Sequence, residues 1–176
     1  SATFPEHIID CKQALIWIKD HIHEYGGDPD FIVVTGGSAG GHLSSLCTLS
    51  ANHAEFQPGC EDRDTTVQGA VPFYGVYDFT DSHDLHHHQG LVEYLEDKIL
   101  KLDLAGNEEF YREASPYFHI NEDAPPCLIV HGDSDTLIPV ACGRVFADEL
   151  KRVSKNPVVY LECKGAQHAF DQLPSI

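Results

Sequence analysis

Ser38 lies in the stretch VVTGGSAGGHLSSL (33–46), surrounded by glycines and an alanine. A serine hydroxyl attacks an acyl carbon only when a base takes its proton, and that base needs a third group to hold its tautomer. The pentapeptide GGSAG (36–40) satisfies G-x-S-x-G, in which the serine occupies a sharp turn between a strand and a helix. The pattern predicts a nucleophilic serine whose flanking residues are glycines because a Cβ there would clash.

Ala39 follows the serine and is predicted to begin the helix. The first turn of a helix presents unpaired N–H groups and the positive end of the helix dipole, so the Ala39 N–H is a candidate oxyanion donor. A glycine-rich turn before a helix also binds phosphate, or simply allows close packing. The choice between these interpretations depends on whether Ser38 has catalytic partners.

Candidate partners follow two later strands. IVHGDSDTLIPV (129–140) carries Asp133 and Asp135, and GAQHAF (165–170) carries His168. Both loops are predicted at the carboxyl edge of a parallel sheet, where α/β proteins bind ligands. The order serine, acid, histidine matches that of serine hydrolases built on such sheets. The sequence therefore predicts Ser38 as nucleophile and His168 as base, with Asp133 or Asp135 as the acid.

The elements that must position these residues alternate between strands and helices. Apolar residues at helical spacing predict helices over 4–25, 39–51 and 140–153. Short β-branched runs predict strands over 31–36, 67–75, 127–132 and 157–163, the second interrupted at Pro72. Run 31–36 is typical of a strand buried on both faces. This alternation predicts the α/β class, a mostly parallel sheet with helices on both faces.

Between the second and third predicted strands lie about fifty residues, 76–125, with acidic helical patterns. A connection of that length usually covers a site. With 176 residues and 42% hydrophobic composition, residues 1–176 are predicted to form a single domain in which 76–125 is a lid-like insertion.

Five stretches together resemble one known family over nearly the whole chain. They are GGSAGGHL, VPFYGVYDF, ASPYFHI, APPCLIVHGDSDTLIPV and GAQHAF. They resemble the α/β-hydrolase fold carboxylesterases of the hormone-sensitive-lipase-like (α/β-hydrolase fold-3) group. The resemblance aligns the nucleophile on Ser38, the acid on Asp135 in an H-G-x-x-D pattern, and the base on His168. It implies hydrolysis of short- or medium-chain acyl esters through a serine acyl-enzyme, without metal or cofactor.

The sequence departs from that family in one respect. Family members carry an H-G-G-type loop upstream of the nucleophile that completes the oxyanion hole, and no His-Gly-Gly triplet occurs here. The family's first strands are also missing, so the chain resembles the C-terminal part of the domain. We expect a second chain, a homo-oligomer or further sequence to supply those strands, and we expect low activity from residues 1–176 alone.

Charge and composition exclude several partners. The net charge of −17, with 11 Lys and Arg, disfavours nucleic acid and anionic membranes. No apolar run approaches the roughly 18 residues of a membrane span, so stable membrane insertion is not expected. The expected partner is a small-molecule ester. The chain contains no methionine and begins SATFPEH, so the place of a targeting signal is missing and cytoplasm is only the default location.

Other readings of the sequence remain open. His83 and the run 86–88 could bind a transition metal, although consecutive histidines point in different directions and a solvated segment is favoured. His42, on the predicted helix, is expected to pack, and Asp78 to stabilise a turn. The same catalytic set could hydrolyse amides in a serine peptidase, and the fold could be retained by a non-catalytic interaction domain.

Overall fold

The computed structural model describes residues 2–85 and 89–172. Their centre is a four-stranded sheet in which all neighbouring strands are parallel and the spatial order follows the chain. Its strands are β1 (Val33–Gly37), β2 (Gly69–Phe73), β3 (Cys127–Gly132) and β4 (Val158–Cys163). The predicted bounds of β3 are confirmed, and the ends of the other strands differ from prediction by at most two residues. The chain has an α/β fold built on a parallel sheet.

Five α-helices accompany the sheet within the described residues. They are α1 (Glu6–His21), α2 (Ala39–Leu49), α3 (Gln89–Tyr94), α4 (Glu108–Glu113) and α5 (Val140–Val153). The single helix predicted over 4–25 is α1 followed by a 3-10 turn, Ile22–Tyr25, which ends where Gly26 adopts φ 83°. Glycine takes this left-handed conformation without a Cβ clash, so it ends the helix there.

The crossover helices α2 and α5 pack on the same face of the sheet. Leu49 of α2 and Phe146 of α5 share one buried cluster with Ile129 of β3. A strand order that advances in one direction through right-handed crossovers has this consequence. The sequence predicts helices on both faces of the sheet. On the face of β4 that points away from α2 and α5, however, Val159 and Leu161 are 55% and 49% exposed within the described residues.

β1 is an edge strand, paired only with β2 among the described strands. The sequence predicts a strand buried on both faces, but Val33 is 46% exposed. The prediction at Pro72 is confirmed: the β2–β3 ladder pairs Ala70 with Cys127 and Phe73 with Val130 and is broken between them. Proline has no N–H to donate toward β3, so that ladder is broken there, whereas Pro72 still pairs with Gly36 of β1.

A buried lysine fixes the far end of α2. Lys12 of α1 has no exposed surface and donates from Nζ to the carbonyl oxygens of Cys47 and Ser50, both at 2.8 Å. These carbonyls belong to the last turn of α2, where the helix leaves acceptors unpaired. Burial lowers the pKa of Lys12. The contact holds α2, whose other end follows Ser38, against α1.

Residues 76–125 contain α3, α4 and irregular segments, and no strand among those described. α3 continues into a π-helical turn, Leu95–Leu100, whose first and last residues are buried in the core with Tyr111. The Phe4 N–H donates to the Ile99 carbonyl at 3.0 Å and ties this segment to the start of α1. The single-domain interpretation and the lid role stay predictions. Within the described residues, no helix has the length and apolarity that a bilayer crossing requires.

Candidate active site

Ser38 forms the turn between β1 and α2. Its backbone has φ 57° and ψ −117°, a region that side chains disfavour and that recurs at functional turns. Two backbone hydrogen bonds hold the turn: Ser38 N–H donates to the Phe73 carbonyl at 3.1 Å, and His42 N–H donates to the Ser38 carbonyl at 3.0 Å. The strained turn is therefore fixed by β2 on one side and α2 on the other.

Close contacts explain three of the four glycines around Ser38, two with backbone atoms and one with a side chain. A Cβ on Gly36 would lie 2.6 Å from the Gly40 carbonyl carbon, and one on Gly41 would lie 2.3 Å from the Phe73 carbonyl oxygen. A Cβ on Gly37 would lie 2.6 Å from the Tyr74 hydroxyl oxygen. The sequence also predicts a clash at Gly40, and this is wrong: no atom of the described residues lies within 4 Å of a Cβ there. At Gly40 the Cβ position faces away from the packed turn.

Three predicted site residues meet in one hydrogen-bonded chain. Ser38 Oγ lies 2.9 Å from His168 Nε2, and His168 Nδ1 lies 2.8 Å from Asp135 Oδ2. A carboxylate accepts, so Nδ1 carries the proton and Nε2 accepts from the serine hydroxyl. Ser38 directly follows β1, and Asp135 and His168 lie in the loops after β3 and β4. These loops meet because the carboxyl ends of parallel strands share one edge. The arrangement can remove the serine proton during attack.

The Asp135 carboxylate is fully buried and hydrogen-bonded on both oxygens. Oδ1 accepts from the N–H groups of Leu137 at 2.9 Å and Ile138 at 2.8 Å. Burial raises the pKa of Asp135, but hydrogen bonds from His131, the Ile138 N–H, His168 and the Leu137 N–H outweigh burial and lower it to about 2. The carboxylate is therefore ionised at neutral pH, as orientation of an imidazole requires.

Asp133, the alternative acid, lies outside this chain. Its Oδ1 accepts from the Gly165 N–H at 2.6 Å and from the Ser134 hydroxyl at 2.9 Å. The first contact joins the loop after β3 to the loop after β4. Asp133 thus holds together the two loops that carry Asp135 and His168.

Two further residues at the site were not predicted from the sequence. The Tyr74 hydroxyl donates to the Asp171 carboxylate, and the Tyr74 ring meets the His168 ring edge-on with centroids 4.7 Å apart. Burial and the Asp171 contact raise the pKa of Tyr74 to about 12. Tyr74 and Asp171 are 97 positions apart in the sequence, which leaves no local spacing signal. The one signal in the sequence is that Tyr74, an aromatic residue, directly follows β2 and therefore lies at the same edge of the sheet as Ser38.

A cavity of about 470 Å³ opens beside Ser38 and Ala39. Its walls are largely apolar and come from α2, from the loops after β2 and β3, and from the helical segment 90–99. Ala39 is the first residue of α2, at the helix end that offers unpaired N–H groups. The cavity can accept an apolar group attached to a carbon held at Ser38 Oγ.

His42 forms part of the cavity wall and does not join the hydrogen-bonded chain. Its ring stacks on Phe79 with centroids 4.3 Å apart, and its Nδ1–H donates to the Val76 carbonyl at 2.8 Å. Burial lowers the pKa of His42 to about 4, so the ring is neutral at pH 7. The expected packing role is observed.

The metal alternative concerned His83 and the histidines at 86–88. The three consecutive histidines lie outside the described residues. His83 Nδ1 lies 4.0 Å from Asp78 Oδ2, and Asp78 accepts hydrogen bonds from Thr80 and Ser82 as a turn residue. Within 2–85 and 89–172, no group of three or more histidine, cysteine or acidic residues has an arrangement that could hold a metal ion.

Comparison with known proteins identifies the family. The chain is 56% identical over 173 residues to the probable carboxylic ester hydrolase LipM of Mycobacterium tuberculosis, and 43% identical over 169 residues to the esterase LipQ of that organism. These matches cover 98% and 96% of the chain but 40% of each relative, so the chain spans less than half of their length. Among solved structures, Thermogutta terrifontis esterase 2 phosphonylated by sarin aligns with a TM-score of 0.77 and 28% identity, over 93% of this chain and 56% of that one. The BD-FAE family model matches residues 1–150, and the chain therefore belongs to the BD-FAE family.

Proposed function

We propose that this chain carries the catalytic residues of a serine hydrolase that cleaves carboxylic esters. One observation carries the proposal: Ser38 Oγ, His168 and Asp135 form a continuous hydrogen-bonded chain at the mouth of an apolar cavity. The names of LipM and LipQ, a carboxylic ester hydrolase and an esterase, support it.

In the proposed reaction His168 Nε2 takes the proton from Ser38 Oγ as the oxygen bonds to the ester carbon. The negative charge that develops on the former carbonyl oxygen is stabilised by the Ala39 N–H and the N-terminal end of α2. The carbon–oxygen bond to the alcohol then breaks, and His168 returns its proton to the departing alkoxide. Water then attacks the acyl carbon while His168 takes one of its protons. The bond between that carbon and Ser38 Oγ breaks, His168 returns the proton to Oγ, and the carboxylic acid leaves.

The cavity beside Ser38 supports a short or medium acyl chain as its occupant. Leu43, Leu91 and Leu95 contribute apolar surface that an alkyl chain would remove from water. Residues 90–99 form one wall and belong to the insertion between β2 and β3, so we assign this segment the role of a lid. A small-molecule ester is accordingly the proposed partner of the site.

The exposed apolar face of β4 and the free edge of β1 support a further part of this proposal. Val159 and Leu161 are half exposed, and one side of β1 has no partner strand among the described residues. Such surfaces are usually covered in a stable protein. We propose that additional strands, from further sequence, a second copy or a second chain, pack there in the active protein.

The proposal is tested by hydrolysis assays on the complete protein that contains this chain. p-Nitrophenyl esters of increasing acyl length and a peptide p-nitroanilide are compared for wild type, Ser38→Ala and His168→Ala. We expect ester hydrolysis that both substitutions abolish, with little anilide cleavage. Preferred cleavage of the anilide would instead identify a peptidase, and ester hydrolysis that survives Ser38→Ala would refute the assigned nucleophile.

A further inference from the structure

A second histidine contacts the carboxylate of Asp135 from inside the protein. His131, on β3, has no exposed surface, and its Nε2 lies 3.0 Å from the Ile138 carbonyl oxygen and 3.3 Å from Asp135 Oδ2. Asp135 Oδ2 is also the oxygen that accepts from His168. One carboxylate oxygen therefore lies between two imidazoles, that of His168, which contacts Ser38, and that of His131, which is fully buried.

The surroundings of His131 fix which nitrogen carries the proton. Nε2 faces two oxygen acceptors, whereas Nδ1 is buried without a hydrogen-bond partner among the described residues. Nδ1 packs against α5 at Gly143, where an added Cβ would lie 2.7 Å from it. A proton on Nδ1 would be buried and unpaired, which is costly. The ring therefore carries its proton on Nε2 and donates it to both acceptors.

We infer that His131 is a positioning residue for the proposed hydrolase, because its Nε2–H fixes Asp135 Oδ2 so that this oxygen faces His168. The two N–H groups of Leu137 and Ile138 already hold Oδ1. With His131 in place, Oδ2 has one direction left for a second donor, and that direction leads to His168 Nδ1. The expected effect of His131 on turnover rests on the proposed function, but the contact between His131 and Asp135 does not depend on that function.

A purely structural role would be to satisfy the Ile138 carbonyl or to fill space beside Gly143. Matched substitutions separate these roles from positioning. In His131→Gln the side-chain amide nitrogen can reach the position of Nε2 and donate to Asp135. In His131→Asn the amide ends near the position of Nδ1 and faces Gly143, and His131→Leu fills space without a donor.

The experiment measures kcat and KM of the complete protein for one p-nitrophenyl ester, after thermal unfolding has identified the folded variants. We expect His131→Asn and His131→Leu to lower kcat about tenfold, with KM changed less than about twofold, because a lost hydrogen bond to a charged group is of that size. His131→Gln should retain kcat within about threefold of wild type. If either Asn or Leu unfolds, the other provides the comparison.

A second readout needs no turnover. The His168 Nδ1–H proton, bonded to Asp135 Oδ2, should give a low-field NMR resonance that His131→Gln preserves and that His131→Leu moves upfield and broadens. If the wild-type protein does not hydrolyse esters, the proposed function is refuted, and the NMR comparison of the variants alone tests whether His131 positions Asp135. The inference is overturned if the resonance is the same in all variants, or if kcat of His131→Leu equals that of wild type.

Discussion

The carbonyl oxygen of Phe73 lies 2.3 Å from the position that a Cβ on Gly41 would occupy, whereas the Cβ position on Gly40 has no neighbour within 4 Å among the described residues. Both glycines are in the first turn of α2. Substituting alanine at each glycine therefore separates two effects. Alanine is favoured over glycine in a helix by up to about 1 kcal/mol at both positions. Only at Gly41 would the added methyl group meet the Phe73 carbonyl oxygen.

We therefore expect Gly41→Ala to lower the free energy of unfolding by about 2 kcal/mol, since β2 must shift to admit the methyl group. Gly40→Ala is the control and should leave that free energy unchanged or raise it by up to about 1 kcal/mol. Urea denaturation of the two variants measures both effects. Equal stability of the two variants would show that the contact with Phe73 does not limit the packing of α2.

The two acidic residues of the loop after β3 should differ sharply in their effect on rate. Asp135→Asn removes the group that orients His168 and should lower kcat by about 10⁴-fold. Asp133→Asn keeps an oxygen that can accept from the Gly165 N–H, so kcat should change by less than about tenfold. Steady-state kinetics of both variants in the complete protein provide the test. A large loss with Asp133→Asn and a small one with Asp135→Asn would reverse the assignment.

The pKa of Asp135 also predicts a dependence of stability on pH. Folding lowers this pKa from 3.8 to about 2, so the ionised carboxylate stabilises the folded state above about pH 4. The contribution is lost as pH falls from about 4 to about 2, and it amounts to about 2 kcal/mol. Asparagine does not titrate in this range. Denaturant unfolding should therefore show that the stability difference between wild type and Asp135→Asn narrows between pH 6 and pH 2.5; a constant difference would contradict the lowered pKa.

Tyr74 should affect the His168 loop through its hydroxyl. Tyr74→Phe removes the hydrogen bond to Asp171 while the ring still packs on His168, so we expect a loss of about 1 kcal/mol in stability and a several-fold lower kcat. Tyr160→Phe is the matched control, because its hydroxyl also donates to a carboxylate, that of Glu162 at 3.1 Å. The control should leave kcat unchanged. If Tyr74→Phe and wild type have equal kinetics, the hydrogen bond between Tyr74 and Asp171 does not help to position His168.

Helices and strands that have a clear pattern in their own residues could be predicted from the sequence. The bounds of β3 and α5 were predicted because a continuous apolar run and a clear helical period mark them. Ser38 and His168 could be predicted because each follows a strand and parallel strands end at one edge. Asp133 and Asp135 both follow β3, and only the family resemblance favours Asp135.

Features that depend on the assembled fold could not be predicted in this way. The contact between His131 and Asp135 depends on how the loop after β3 folds back, and that between Tyr74 and Asp171 joins residues far apart in sequence. The free space at Gly40 depends on which neighbours the turn meets, and a sequence motif does not record this.

The exposed face of β4 predicts self-association of residues 1–176 in isolation. Val159 and Leu161 expose apolar surface there, and no described strand pairs with the outer edge of β1. We expect the isolated chain to elute larger than a monomer, and Val159→Lys with Leu161→Lys to shift it toward the monomer. Glu109→Lys, at a side chain that is 81% exposed on α4, makes the same change in net charge and should have no such effect. A monomeric wild-type chain would contradict the assigned surface.

The central claim is that Ser38 is the nucleophile and that His168 activates it. The most direct measurement treats the complete protein with a fluorophosphonate probe and locates the adduct by peptide mass spectrometry. We expect one adduct per chain, on the peptide that contains Ser38, with none in Ser38→Ala and a strongly reduced labelling rate in His168→Ala. An adduct on another residue, or labelling of Ser38→Ala at the wild-type rate, would contradict the account.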